Sequence, residues 1–254
     1  MTAAHGTALV TGGARRIGRA IVEDLAAHGF AVAIHCNRSR PEADALCARL
    51  QHAGARAAVV QADLVEGAQA DAVVAEAARA LGPIRLLVNS ASIFQDDSVE
   101  TFDPALAARH FAIHVNAPAI LARRFAEALP SGEEGLIVNV VDQRVWRLTP
   151  RYFSYTLSKS ALWTATQTMA QALAPRIRVN AIGPGPTLAN ARQGAADFAA
   201  QVDGLILKRG PALDEFGAAI RYLWQARSVT GQMIALDGGQ HLAWQTPDVT
   251  GMVE

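Results

Sequence analysis

The chain has 254 residues, 51% of them hydrophobic and 18% charged, and its 23 basic residues balance 23 acidic ones. This excludes a disordered chain and gives enough length for one large domain with a sizeable core. A net charge of zero argues against a nucleic-acid binder or a protein held on an acidic membrane surface.

The predicted elements alternate from the start. Thr7–Thr11 is an apolar strand, broken by Gly12 and Gly13. Ile17, Ile21 and Leu25 recur at helical spacing, so residues 17–28 form a helix that stops at Gly29. Residues 30–34 are the second strand. A helix over 41–53 follows, with Pro41 at its start and Gly54 past its end. Ala57–Gln61 is a strand, Gly67–Leu81 an Ala-rich helix, and residues 86–88 a strand. Residues 104–129 read as one long helix, 136–141 as a continuous apolar strand, and 152–174 as a helix ended by Pro175. A strand over 177–182, a helix over 214–225 and a strand over Met233–Leu236 complete the pattern.

Continuous apolar strands separated by helices predict a parallel sheet covered on both faces. The regular alternation predicts a single doubly wound α/β domain spanning 1–254. The rhythm breaks only where Gly, Pro and Ala-rich polar sequence suggests a substrate lid at about 187–211. No apolar run approaches the roughly 18 residues of a spanning helix. The positive charges Arg15 and Arg16 follow the first apolar stretch, unlike those of a secretory leader. Cys36 and Cys47, without CxxC spacing, read as small buried hydrophobes in a reducing cytoplasm.

The first strand runs into Thr11-Gly12-Gly13-Ala14-Arg15-Arg16-Ile17-Gly18 and then directly into a helix. Glycines there let backbone approach a pyrophosphate that sits at the helix N-terminus. The second strand leads into His35-Cys36-Asn37-Arg38-Ser39, with no acid to bind a ribose hydroxyl. Arg38 and Ser39, with Arg15 as a second cation, suit a 2′-phosphate and therefore NADP(H). Further on, Tyr155 and Lys159 stand at i and i+4 of a helix, so phenol and ammonium share a face. A cation so placed is expected to lower the Tyr pKa and make Tyr155 a general acid or base. The chain has only two lysines against 21 arginines, which makes Lys159 unlike an ordinary surface charge. His110 and His114 share i, i+4 spacing but have neither an HExxH pattern nor a carboxylate partner. They read as a helix face, and no metal site is expected.

The glycine turn and the Tyr-x-x-x-Lys pair resemble the short-chain dehydrogenase/reductase family over residues 7 to about 242. Arg16, His35 to Ser39, Ser92, Phe94 and Asp142 most resemble its pteridine reductase branch, which includes dihydromonapterin reductases. The resemblance implies a Rossmann-type fold and an assembly of two or four copies. It implies cofactor contacts from Gly12, Arg15, Arg16, Ile17 and Gly18, from His35, Asn37, Arg38 and Ser39, and from Asp63 and Leu64. Asn89, Ser90, Ala91, Tyr155, Lys159, Pro184, Gly185, Thr187 and Leu188 complete that implied set. Asn116 matches the catalytic Asn, expected to hold a water for proton relay to Lys159. The position 13 residues before Tyr155, where the family carries Ser, is Asp142. A carboxylate there would repel a developing alkoxide, but it suits the ring nitrogens and amino group of a pterin. Arg16, Ser92, Phe94, Asp142 and Tyr155 are the implied substrate contacts. Phe94 is expected to stack the pterin ring. Alternatives are a carbonyl reductase acting on an oxoacyl thioester, sugar or other ketone, for which the basic loop Arg144, Arg147 and Arg151 could dock an acidic carrier, and an NADP(H)-binding sensor without turnover.

Overall fold

The computed structural model describes residues 5–189 and 194–246. Seven strands form one sheet: β1 Thr7–Thr11, β2 Ala31–Cys36, β3 Ala57–Gln61, β4 Ile84–Asn89, β5 Gly135–Val140, β6 Ile177–Pro184 and β7 Met233–Leu236. Their spatial order is β3-β2-β1-β4-β5-β6-β7, and every pairing is parallel. Period-two alternation explains why the strands are apolar throughout. In β2, Val32 and Ile34 enter a core with Ile21, Leu25, Phe216 and Ile220 on one face. Ala31 and Ala33 enter the opposite core with Val73, Leu87, Leu121 and Phe125. Each fully buried Leu, Ile or Phe side chain contributes roughly 1.5–3 kcal/mol of transfer free energy.

The first core is covered by α1 Arg16–Ala27, α2 Arg40–His52 and α8 Leu213–Gln225. The second is covered by α3 Gly67–Leu81 and α5 Ala117–Ala128, with α6 Phe153–Leu173 at its edge. Strand order reverses between β1 and β4, so a crevice opens beyond the carboxyl ends of these strands.

Two regions differ from the sequence expectation. The single helix over 104–129 is instead α4 Pro104–Phe111, a π turn Ala112–Asn116, and α5. Pro118 supplies the reason. It cannot donate to the His114 carbonyl, and its ring crowds that oxygen, so the helix widens there. Within the expected lid, Ala195–Asp203 forms a helix, α7. It buries no residue, and it is short and follows a Gly- and Pro-rich stretch that reads as loop. Residues 190–193 of that lid lie outside the described residues. No described helix is long and apolar enough to cross a membrane.

Candidate active site

A cleft of about 980 Å³ lies at the carboxyl end of the sheet, between the glycine turn and the start of α6. At its glycine end, Gly12 has φ +63°, and a Cβ on Gly18 would stand 2.2 Å from the Gly12 carbonyl oxygen. Only glycine permits that packing of turn against helix. The N-terminus of α1 has no side-chain cap and no acid in its first turn. Its free N–H groups and positive dipole end therefore suit an anion. The Thr11 hydroxyl accepts from the backbone N–H groups of Ser90 and Ala91, both at 3.0 Å, tying this turn to the end of β4. Sequence reasoning had not singled out Thr11 in this role.

The implied cofactor contacts divide. Gly12, Arg15, Arg16, Ile17, Gly18, Ser90, Ala91, Pro184, Gly185, Thr187 and Leu188 line the cleft, together with Tyr155 and Lys159. Arg16 adopts a left-handed φ of +51° and reaches across to the carbonyl oxygens of Leu188 and Ala189, each at 3.1 Å. Arg15 is paired with Glu42. Asn37 and Arg38 are exposed just past β2, with Ser39 half-buried beside them at the start of α2. Asp63 accepts from the Val65 N–H at 3.1 Å and closes a turn; Leu64 beside it is a core residue. Asn89 is buried and donates to Asn139 at 2.8 Å, which in turn donates to Thr166 at 2.9 Å.

His35, implied as a cofactor contact, does not line the cleft. It is buried, and its Nδ1 accepts from the Gly12 N–H at 3.1 Å. Nε2 therefore carries the hydrogen and donates to the Ala62 carbonyl at 3.1 Å. Burial lowers its pKa to about 4, keeping the ring neutral. It is a strut under the glycine turn.

At the other end, the N-terminus of α6 is pinned by the loop after β4. Asp97 accepts from the Ser154 N–H through both carboxylate oxygens, at 3.1 and 3.2 Å, and Phe153 N–H bonds its carbonyl. A carboxylate at a helix start favours this arrangement. It delivers Tyr155 and Lys159, both buried, to the cleft wall. The Tyr155 hydroxyl donates to Asp142 Oδ2 at 2.9 Å. Asp142 also accepts from the Arg144 backbone N–H at 2.9 Å and faces the Arg144 guanidinium at 3.2 Å. Its carboxylate thus both caps a short turn and holds the phenol proton.

This geometry reverses one expectation. Burial first, and then the Asp142 carboxylate, push the Tyr155 pKa well above its ordinary value, with Arg144 and Ser92 opposing. The Lys159 Nζ sits 5.7 Å from the Tyr155 ring centroid and donates to the Val140 carbonyl at 2.8 Å. Burial lowers its own pKa to about 8, against the pull of Asp142.

Phe94, at the cleft mouth, stacks on Tyr152 at 4.4 Å and meets Tyr155 edge-on at 4.9 Å. The Arg144 guanidinium lies over both Phe94 and Tyr152. The remaining arginines of the basic loop are engaged: Arg147 with the Ala243 carbonyl and Arg151 with Asp96. Asn116 does not join the site. It is exposed at the end of the π turn and does not line the cleft. The turn buries Ile113 in the core and His114 at the site, 5.3 Å from the Tyr155 ring. Helix α7 brings Asp197, Phe198 and Gln201 to the cleft, residues its polar sequence had not marked. Among the described residues no cluster of His, Cys, Asp or Glu could hold a metal ion.

The short chain dehydrogenase family model matches residues 6–199. Two solved structures titled FolM alternative dihydrofolate reductase 1, both with NADP, superpose with TM-scores of 0.95. The one from Brucella canis is 60% identical, covering 98% of this chain and 99% of that one. The one from Brucella suis is 61% identical, covering 98% and 100%. Dihydromonapterin reductase of Klebsiella pneumoniae is 30% identical over 240 residues, covering 92% of this chain and 96% of that protein. With its all-parallel sheet, glycine turn and Tyr155–Lys159 pair, the chain belongs to the short-chain dehydrogenase family.

Proposed function

We propose that the protein is an NADPH-dependent reductase of a dihydropterin ring. The observation that carries this reading is the Tyr155 hydroxyl donating to Asp142 at 2.9 Å, where a carbonyl reductase of the family would present a neutral Ser. A carboxylate beside the proton donor suits ring N–H and amino groups and opposes a developing alkoxide. The Klebsiella relative's name, dihydromonapterin reductase, supports a dihydropterin substrate; the Brucella proteins are named for dihydrofolate, and the NADP in their structures supports the cofactor.

The residues present fit NADPH. The uncapped start of α1 suits the pyrophosphate. Arg38, exposed and without an ion pair among the described residues, suits a 2′-phosphate with Ser39. When bound, NADPH supplies the hydride that reduces a ring C=N. Tyr155, kept as a phenol by burial and by Asp142, holds the proton that the ring nitrogen gains. The Tyr155 phenolate left behind regains its proton from solvent along the cleft, relayed through the Asp142 carboxylate. Lys159 is suited to the nicotinamide ribose. Arg16 and Phe94 frame the ring, and Leu188, Asp197, Phe198 and Gln201 line the cleft beside it, as suits a lid.

Exposed Phe102, Phe111 and Leu157 around α4 and α6 support assembly into a homodimer or homotetramer. The two free, buried cysteines fit a cytoplasmic setting.

The test is NADPH oxidation by the purified protein with a dihydropterin and, separately, with an oxoacyl thioester. Turnover of the dihydropterin alone is the expected result. Turnover of the thioester alone overturns the reading. Tyr155→Phe should abolish turnover while retaining NADPH binding.

A further inference from the structure

Two imidazoles stand behind Tyr155. His110 Nδ1 lies 2.8 Å from Ser154 Oγ, and His114 Nδ1 lies 2.8 Å from Ser158 Oγ. The rings stack at 5.8 Å with an interplanar angle of 14°, so His110 braces the plane of His114. Both rings are buried.

The hydrogens on His114 follow from its partners. The Ile93 backbone N–H can only donate, and it points at His114 Nε2 from 3.3 Å. Nε2 therefore carries no proton. The Ser158 hydroxyl donates to the Tyr155 carbonyl at 2.7 Å, which leaves its oxygen to accept the His114 Nδ1–H. The ring is neutral, and burial together with the Lys159 ammonium pushes its pKa far below the usual histidine range.

This assignment fixes a third hydroxyl. Ser92 Oγ lies 2.8 Å from His114 Nε2, an unprotonated nitrogen, so Ser92 must donate. The Ile93 carbonyl, at 3.4 Å, and the Tyr155 phenol oxygen compete for that single proton, but the first is much farther than the imidazole nitrogen and the second is much the weaker base. Ser92 is exposed to the cleft, and its lone pairs are left facing it. Beside it, Asp142 also presents only acceptor oxygens. At Ser92 and Asp142 this wall of the cleft therefore offers acceptors.

We infer that His114 is a positioning residue that locks Ser92 as a hydrogen-bond acceptor, so that the cleft recognises its substrate there through an N–H group. This rests on the dihydropterin reading, because a pterin ring carries such N–H donors and an oxoacyl carbonyl does not.

Two measurements test it. With 15N-histidine-labelled protein and NADP+, His114 should be the neutral Nδ1–H tautomer from pH 8 to 5.5. Its Nε2 resonance should move in Ser92→Ala, with His114→Gln providing the assignment. An Nε2–H tautomer or an imidazolium in that range overturns the positioning role, whichever substrate the enzyme takes. In steady-state kinetics, Ser92→Ala and His114→Leu should each raise the dihydropterin KM about tenfold or more, with kcat changed less. The double variant should be no worse than either single one, because both remove the same oriented hydroxyl. His114→Gln, whose side-chain carbonyl can accept from Ser92, should retain most of the affinity. Additive effects overturn the inference. Should His114→Leu fail to fold, the tautomer and the His114→Gln kinetics still decide it. Thioester turnover with no dihydropterin turnover refutes recognition through N–H while leaving the tautomer result to judge the role of His114.

Discussion

Replacing His35 with Leu separates a structural strut from a cofactor contact. At pH 7.5 the substitution leaves the Gly12 N–H and the Ala62 carbonyl without their partners. Each unsatisfied buried group costs about 1–3 kcal/mol, so the variant should lose about 2–6 kcal/mol. The pH dependence gives a sharper signature. In the unfolded chain His35 titrates near 6.5, while in the fold burial holds it at about 4. Between those values the unfolded state binds more protons, so stability falls as the pH falls. At about 1.4 kcal/mol per pKa unit, the parent loses about 3 kcal/mol across that window through His35 alone. The variant lacks this loss, so the gap between the two proteins should shrink by about 3 kcal/mol from pH 7.5 to pH 4. Urea unfolding followed by tryptophan fluorescence at four pH values reads it directly. Shared titrations, including that of His114, cancel in the difference. A gap that stays constant across the range would refute the reasoning.

Asp142→Ser should lower dihydropterin kcat by roughly 100-fold or more, the scale of a lost acid–base partner. Because the Asp142 carboxylate helps to raise the Tyr155 pKa, the alkaline limb of the pH profile should also move down in that variant. Gly18→Ala places a Cβ 2.2 Å from a backbone oxygen of the glycine turn, so NADPH binding by fluorescence titration should be lost. Arg16→Gly relieves a left-handed φ of +51°, about 1 kcal/mol, and gives up two exposed bonds to Leu188 and Ala189. Its Tm should stay within about 2 °C of the parent while KM for the dihydropterin rises.

Much of the scaffold was legible because a parallel sheet writes itself as apolar runs. The strands Thr7–Thr11, Ala57–Gln61 and Met233–Leu236 match residue for residue, and the other four differ only at their ends. The π turn escaped because an apolar stripe survives one widened turn; Pro118 inside the pattern was the available signal. Helix α7 escaped because it is short, buries no residue and follows a Gly- and Pro-rich stretch that reads as loop. Within the site, the cleft gathers Tyr155, Lys159, Asp142, Arg16, Ser92 and Phe94 as the motifs implied. His35 and Asn116 were misplaced because a motif records a neighbourhood and not the direction in which a side chain points. The His114–Ser92 contact left a fainter trace. His110 and His114 are four apart, and so are Ser154 and Ser158, two ladders of matching pitch on helices that later meet.

The π turn also sets a phase. Residues on either side of it bury together only because the turn holds a fixed angular offset between α4 and α5. A π turn spends one more residue than an α turn on the same sweep of angle, so the segment 112–116 carries an extra residue without putting Leu121 and Phe125 out of phase with the sheet. Loss of one residue there can be absorbed by closing the turn to α geometry, whereas loss of one residue inside α5 would rotate its buried face away from the sheet by about 100°.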